Sequence, residues 1–357
     1  MHPRIQLSDL TALALFLAVA LPFSNAVPAL AADGVVEINQ TCAVQTGCTA
    51  GDTAGYPVSL TQPGSYRLTS NLLQPGAATD VIEITANDVA IDLGGFEISG
   101  PFSCPGNPAN CAAAGLGQAV DADSASGVSV TNGAVRGTAR GIALGDYCIV
   151  QDVRVIETTN HGIFAGTGCA LTRVVAARNG NTGIQVAQGT VSDSAAHDNE
   201  GSGFGFGSNA TITASSARRN GANGISGNAG TQVADCVASD NAGSGFSLNI
   251  AASVTSSTSY ANAGHGLNAG AGSVVRFSTA YGNDDRGMVL GSGSQAVGNT
   301  MRFNVGLGLM IGDNGAYREN VLTANNGGVE TQVGPAFVTD TIFNLGSNVC
   351  GTDTTCP

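Results

Sequence analysis

A glycine followed by an aliphatic or aromatic residue returns at a nearly fixed interval through most of the chain. The pairs are Gly141-Ile142, Gly162-Ile163, Gly183-Ile184, Gly203-Phe204, Gly224-Ile225, Gly245-Phe246, Gly266-Leu267, Gly287-Met288, Gly308-Leu309 and Gly328-Val329, and successive pairs lie 20 or 21 residues apart. Asparagine keeps the same register at Asn179, Asn199, Asn220, Asn241, Asn262, Asn283, Asn304 and Asn325. A unit this short cannot bury an apolar face by itself. Such units must stack, so that their apolar faces merge into one continuous column.

Inside a unit the apolar residues alternate with period two, the mark of a strand. In Gly183-Ile184-Gln185-Val186 and Gly245-Phe246-Ser247-Leu248 the aliphatic and aromatic residues face one way and the polar residue the other. A second strand follows, as in Val233-Ala234-Asp235-Cys236-Val237. Glycine and asparagine turns separate the strands. The Leu-x-x-Leu-x-Leu pattern of leucine-rich repeats and the Gly-Gly-x-Gly-x-Asp pattern of calcium-binding rolls are both absent. The expected fold is all-β: a single-stranded right-handed parallel β-helix, a solenoid of about 10–12 turns rising about 4.8 Å per turn. The asparagine column belongs at the turns, its amides hydrogen-bonded to one another along the axis.

The first 32 residues read differently. A short basic start, an apolar run from Leu10 to Leu21 and the small residues Ala29-Leu30-Ala31 make a signal peptide, cleaved after Ala31 or Ala32. The run is shorter than the roughly 20 apolar residues a membrane span needs. Residues 33–79 are expected to form an N-terminal cap, 80–334 the β-helix and 335–357 a C-terminal cap. A Pro/Ala/Gly/Asn-rich insertion without periodicity, 101–126, is expected to project as a loop, a possible lid. The protein should be exported, to the periplasm or beyond, with no membrane insertion.

Nine cysteines fit an oxidising compartment. Cys148 and Cys169 each lie seven residues after their repeat glycine, so stacking brings them within disulfide reach. Cys42 with Cys48, Cys104 with Cys111 and Cys350 with Cys356 are close in sequence and expected to pair. Cys236 remains, in a column with Ser194, Ser215, Ser257, Ser278 and Asn299, and is expected to be a buried, inert thiol.

A net charge of −13 argues against a nucleic-acid partner, which wants a basic patch. It also sets a repulsive global field against a polyanionic substrate, which only a local cationic site overcomes. From Ala143 onward, the outward positions of the first strand are small and nearly uncharged: Ala143, Phe164, Gln185, Gly205, Ser226, Ser247, Asn268, Val289, Met310 and Glu330. No carboxylate pair of the kind a glycosidase needs stands there, no acid cluster for calcium, and no Cys-x-x-Cys spacing for zinc. No metal or cofactor is implied, and no feature specifies an oligomeric state. Arg178, Asp198, Arg219 and Asp240 alternate in sign from turn to turn and read as a cross-turn ion-pair ladder. The densest chemistry is a turn region holding Tyr260, His265, Tyr281, Asp284, Asp285, Arg286 and Arg302. Asp284, Asp285 and Arg286 are candidate catalytic residues for acid–base chemistry. Tyr260, His265, Tyr281 and Arg302 are candidate ligand-binding residues, because tyrosine faces stack on sugar rings and arginine orients hydroxyls or carboxylates.

The run Asp-Val-Ile-Glu-Ile-Thr-Ala-Asn-Asp-Val-Ala-Ile-Asp-Leu-Gly-Gly-Phe-Glu-Ile-Ser-Gly from Asp80 to Gly100 resembles the opening turn of bacterial secreted right-handed β-helix repeat proteins. Pro63-Gly64-Ser65-Tyr66-Arg67-Leu68 is similar to the cap of that group, as is the Cys350-to-Cys356 ending. The wider group is the pectate-lyase-like superfamily, which includes pectate lyases, polygalacturonases and uronate epimerases. The resemblance implies the fold over nearly the whole mature chain. A polygalacturonase would bring three aspartates to one strand position, where this chain has only Asp284-Asp285 in a turn; Gly264-His265-Gly266 resembles that family's histidine motif without its partners. The calcium cluster of a pectate lyase and the Asp-Pro-His of an alginate epimerase are absent. Fold alone does not assign an activity. The expected function is that of a secreted β-helix protein binding a polysaccharide or cell-envelope partner. The alternatives are a lyase, hydrolase or epimerase acting on a uronate-containing polymer, or a structural, adhesive rod.

Overall fold

The computed structural model describes residues 34–112, 115–328, 331–351 and 356. The segment read as a signal peptide lies outside these residues. The chain winds into a parallel β-helix with three sheets. Among the described residues thirteen strands stack in the first sheet, from Val58–Leu60 to Val333–Pro335. The second runs from Val36–Ile38 to Phe343–Asn344, and the third from Leu72–Leu73 to Val349–Cys350. Each strand pairs in parallel with its equivalent one turn on, as Ile225 with Phe246 and Ser226 with Ser247.

Each turn thus has three strands where the alternation suggests two. The run Val233–Val237 is cut in half. Gln232–Ala234 belongs to the second sheet and Val237–Ser239 to the third. Between them Asp235 takes φ 55°. That left-handed conformation, which Asp tolerates better than most residues, bends the chain through a corner. Asp193, Ala214, Ser256, Phe277 and Glu319 do the same in other turns.

The interior is a set of aligned columns. Ile142, Ile163, Ile184, Phe204, Ile225, Phe246, Leu267, Met288 and Leu309 are all essentially buried. The glycine ahead of each is required by close approach. A Cβ on Gly224 would stand 2.7 Å from the Gly245 carbonyl oxygen and 2.8 Å from Nδ2 of Asn241. The space the glycines leave is filled by the asparagine column, which is buried from Asn179 to Asn325. Each amide nitrogen donates to the amide oxygen of the next turn, from Asn179 to Asn199 at 2.9 Å onward. Thr158 closes the ladder at one end and Gln332 at the other.

Asp80–Gly100 makes three strands, as its alternation suggests. Val58–Leu60 and Gly64–Leu68, within the segment expected to be a cap, pair with it in register and extend the helix by another turn. The end is covered by the short helix Gln40–Gln45, which Asn39 caps by accepting the Cys42 N–H at 2.9 Å. The insertion is shorter than its composition suggests. Gln118–Ala122 is a first-sheet strand pairing with Ile82–Glu83 and with Arg140–Leu144.

The insertion's described residues 101–112 and 115–117 do not project. They fold down the corner between the third and first sheets as a strap. Arg178 Nη2 donates to the Cys104 carbonyl, the Ala109 N–H donates to the Asp198 carbonyl, and the Cys111 N–H donates to Glu200 Oε2. Disulfides join Cys42–Cys48, Cys104–Cys111, Cys148–Cys169 and Cys350–Cys356. Cys236 is free and buried. Among the described residues, no helix is long and apolar enough to cross a membrane.

Candidate functional site

Because Gln118–Ala122 is a strand, the outward column of the first sheet begins earlier than Ala143. Its register runs Ser59, Glu83, Asp121, Ala143, Phe164 and Gln185. Acids therefore do stand on this face, at its N-terminal end. Strand alternation puts Asp121 and Asp123 on the same side, with Ala122 buried between them. Asp80 lies alongside and accepts the Gln118 N–H at 2.6 Å.

Arg140 opens the next strand. Its Nη1 lies 3.2 Å from Asp123 Oδ2 and 3.4 Å from Gln118 Oε1, and its guanidinium carbon lies 5.7 Å from the Phe164 ring centroid. One turn on, the His161 ring is 6.2 Å from the same phenylalanine. Nε of Arg140 and Nδ1 of His161 are shielded from solvent, with no hydrogen-bond partner among the described residues.

The electrostatics follow from this crowding. Burial pushes the Asp80 carboxyl above the usual range, and the charge of Asp121 adds to it, against the hydrogen bond from Gln118. Burial also raises Asp123; Arg140 opposes the shift while Asp121 and Asp80 reinforce it. Burial lowers His161 against an opposing interaction with the Thr182 backbone, and the adjacent Arg140 charge adds to the lowering. Carboxyls that hold a proton longer than usual, beside an imidazole that gives one up sooner, are equipped for proton transfer.

Further along, the face turns neutral. Gln185, Ser226, Asn228, Ser247 and Asn249 line a groove of about 360 Å³ over the glycines Gly205 and Gly227. Beyond it, on the flank of the same sheet, Asp285 Oδ2 lies 3.2 Å from His265 Nδ1, and Asp285 Oδ1 lies 3.5 Å from Arg286 Nη1. Burial holds His265 below its ordinary value; Asp285 opposes this and Arg286 adds to it.

The residues that form one patch in the sequence are thus divided. Asp285 joins His265 and Arg286 on the first-sheet side. Asp284, its chain neighbour, lines a different groove with Asp240, Ala261 and Ala263. Tyr260, Tyr281 and Arg302 stand in register on the outer face of the third sheet. The ion-pair ladder is present in part: Arg219 binds Asp198 through two hydrogen bonds of 2.7 and 2.8 Å, while Arg178 pairs with Glu157. The acidic cluster at Asp80, Asp121 and Asp123 is missing from the sequence reading. The period-two run Ala119-Val120-Asp121-Ala122-Asp123 is the signal that marks it.

Comparison with known proteins bears on the fold. The family described as a right-handed β-helix region matches residues 126–275. The structure is similar to the A-module of mannuronan C-5 epimerase AlgE4 from Azotobacter vinelandii, at TM-score 0.57 and 12% identity over 83% of this chain and 91% of that one. It is similar to the AlgE6 A-module of the same organism, at TM-score 0.50 and 12% identity over 82% and 92%. A third likeness is to the catalytic unit of an α-1,3-glucanase from Streptomyces thermodiastaticus, at TM-score 0.50 and 15% identity over 91% of this chain and 64% of that one. No curated protein sequence matches the chain.

Proposed function

Since this chain is a right-handed parallel β-helix protein, the architecture of the pectate-lyase-like superfamily, we propose that it binds a polysaccharide along the outer face of its first sheet and cleaves it at the acidic end of that face. The observation that carries the reading is Arg140 bridging Gln118 and Asp123 beside Asp80, Asp121 and His161, under the Phe164 ring. Asp123, whose carboxyl is pushed above the usual range and so gives up its proton less readily than a free one, is the proton donor to the departing glycosidic oxygen, and Asp121 is the partner carboxylate. Phe164 offers a ring for a sugar to stack on, and the amides and hydroxyls of the adjoining groove suit sugar hydroxyls. Proteins of similar fold include, by name, a mannuronan epimerase and an α-1,3-glucanase, which supports a polysaccharide substrate.

Local charge favours a neutral polymer. Glu83, Asp80, Asp121 and Asp123 gather around one arginine, so a polyuronate would meet repulsion where the chemistry is placed. Lyase or epimerase action on a uronate is the second reading, favoured by Arg140 as a partner for a substrate carboxylate. Four disulfides fit an exported protein. The test is a screen of neutral and uronate polymers, read for bound polymer, new reducing ends and unsaturated ends. Reducing ends lost in Asp123→Asn support hydrolysis. Unsaturated ends lost in Arg140→Ala favour the second reading. Product lost only in Asp285→Asn moves the chemistry to the His265–Asp285–Arg286 site. Binding without product leaves a recognition module.

A further inference from the structure

Exposed aromatic rings occupy the third sheet in the same turns where the corner toward the first sheet is floored by small residues. Tyr260 and Tyr281 pair in register at the ends of their strands. Earlier turns place Ala177, His197, Arg218 and Ser239 in this column, so the rings are confined to two neighbouring turns. Tyr260 is 44% exposed and Tyr281 45%. Phe303, 48% exposed, stands edge-on to Tyr281 with ring centroids 5.4 Å apart. The Arg302 guanidinium packs over Phe303 at 5.1 Å. Single exposed apolar residues are ordinary, but three rings from successive turns, two on the third sheet and Phe303 at the corner just past it, mark a contact surface.

Next to the rings lies a groove of about 380 Å³. It is lined by Ala261 and Ala263, by Asp240 and Asp284, and by Asn107 and Pro108 of the strap. Ala261 directly follows Tyr260, so ring platform and groove adjoin. Neither carboxylate has a hydrogen-bond partner among the described residues, and Arg219, which also lines the groove, is committed to Asp198. The surface thus offers flat aromatic faces, small apolar side chains and two carboxylate acceptors. A neutral sugar chain matches all three, laying its C–H faces on the rings and donating hydroxyls to the carboxylates. A polyanion does not match, because Asp240 and Asp284 repel it.

We infer that Tyr260, Tyr281 and Phe303, with Asp240 and Asp284, form an accessory binding site for a neutral glycan chain, around the rod from the acidic cluster. The inference rests on the reading of the protein as polysaccharide-binding. It gives the site a task, which is to hold the polymer at a second point and raise its effective concentration at the first-sheet face.

Affinity electrophoresis in gels containing laminarin, dextran, xylan or polygalacturonate tests it, with release of reducing ends from each polymer measured in parallel. Wild type should be retarded by at least one neutral polymer. The Tyr260→Ala/Tyr281→Ala double variant should show retardation weakened about tenfold, with an unchanged melting curve because both side chains are half in solvent. Asp240→Ala/Asp284→Ala should weaken retardation too, which keeps the test decisive if the tyrosine variant fails to fold. Retardation of both variants equal to wild type overturns the accessory site and leaves the polysaccharide reading standing. Wild type neither retarded nor releasing product from any polymer overturns the polysaccharide reading, and the accessory site with it.

Discussion

Asn220 and Asn241 lie one turn apart with their amides in line. Asn241 Oδ1 accepts both Nδ2 of Asn220 at 2.9 Å and the backbone N–H of Asn220 at 3.0 Å. Nδ2 of Asn241 passes the chain on to Asn262 Oδ1 at 2.8 Å and to the Ala217 carbonyl at 3.2 Å. Asn241→Ala leaves the Asn220 backbone N–H without its partner where water does not reach, and takes one hydrogen bond each from Asn220 Nδ2, which keeps the Ala196 carbonyl, from Asn262 Oδ1, which keeps the residue-241 N–H, and from the Ala217 carbonyl. An orphaned donor costs about 1–3 kcal/mol and each further lost hydrogen bond about 0.5–1.5 kcal/mol, and partial relaxation brings the expected loss to about 3 kcal/mol. Urea unfolding should show it as a lower midpoint. A change under about 0.5 kcal/mol would mean the ladder is not a stabilising element.

Cys236 interrupts a second ladder. Backbone N–H groups donate along it to Ser194, Ser215, Ser257 and Ser278, and each of Ser194, Ser215 and Ser257 returns its hydroxyl to the carbonyl two residues back. Cys236 imitates this, its thiol donating to the Ala234 carbonyl at 3.2 Å. Cys236→Ser should therefore change stability by less than about 1 kcal/mol, while Cys236→Val, which drops the donor and crowds the column, should cost more. Burial pushes the thiol up to about 11. The native protein should resist iodoacetamide at pH 8. Unfolded without reductant, it should take up one adduct by intact mass, and more than one would contradict the four disulfides.

Asp198 joins the strap to the helix. Its carbonyl accepts the Ala109 N–H at 2.9 Å, and its carboxylate binds Arg219 and, at 2.7 Å, Nδ1 of His197. Burial alone would raise this carboxyl, but the hydrogen bonds and charges of Arg219 and His197 outweigh burial and hold it below the usual range. A depressed carboxyl contributes stability that is present above its unfolded pKa, near 4, and lost as pH falls through the folded value. Arg219→Ala should cost about 1–2 kcal/mol at pH 7 and make the loss of stability in acid shallower. It should also speed proteolytic cutting within residues 101–112. Equal cutting rates in variant and wild type would show that the strap is held elsewhere.

What the sequence discloses and what it hides have one physical origin. Stacking converts sequence spacing into contact wherever the period holds, so the Asn179–Asn325 column and the Cys148–Cys169 pair are legible from residue numbers alone. The insertion ahead of Gln118 breaks the period, so Glu83 lies 38 residues before Asp121 while adjoining it in register, and Asp121, one repeat before Ala143, falls inside the segment that composition marks as a loop. The acidic end of the first sheet disappears from a reading that counts from the repeat glycines. The third strand of each turn is hidden for another reason. A single left-handed residue such as Asp235 turns the chain without any glycine or proline to announce it. The grouping of Asp284 with Asp285 fails because consecutive residues at a corner face different sides.

The acidic cluster yields the last prediction. Asp80 and Asp123 are held above the usual carboxyl range by burial first and by neighbouring acids. A carboxyl raised on folding contributes stability that is complete below its unfolded pKa and lost as pH rises through the folded value. At neutral pH these two carboxylates therefore weigh against the fold, as expected where a site trades stability for chemistry. Asp80→Asn removes the charge and keeps an oxygen to accept the Gln118 N–H. Its melting temperature should exceed that of wild type by about 2 °C at pH 7, and the gain should vanish below about pH 4. The same substitution should reduce any polymer cleavage. A variant less stable at pH 7 would show that the Gln118 N–H needs the full carboxylate charge, which would make Asp80 a structural acceptor and leave the chemistry to Asp121 and Asp123.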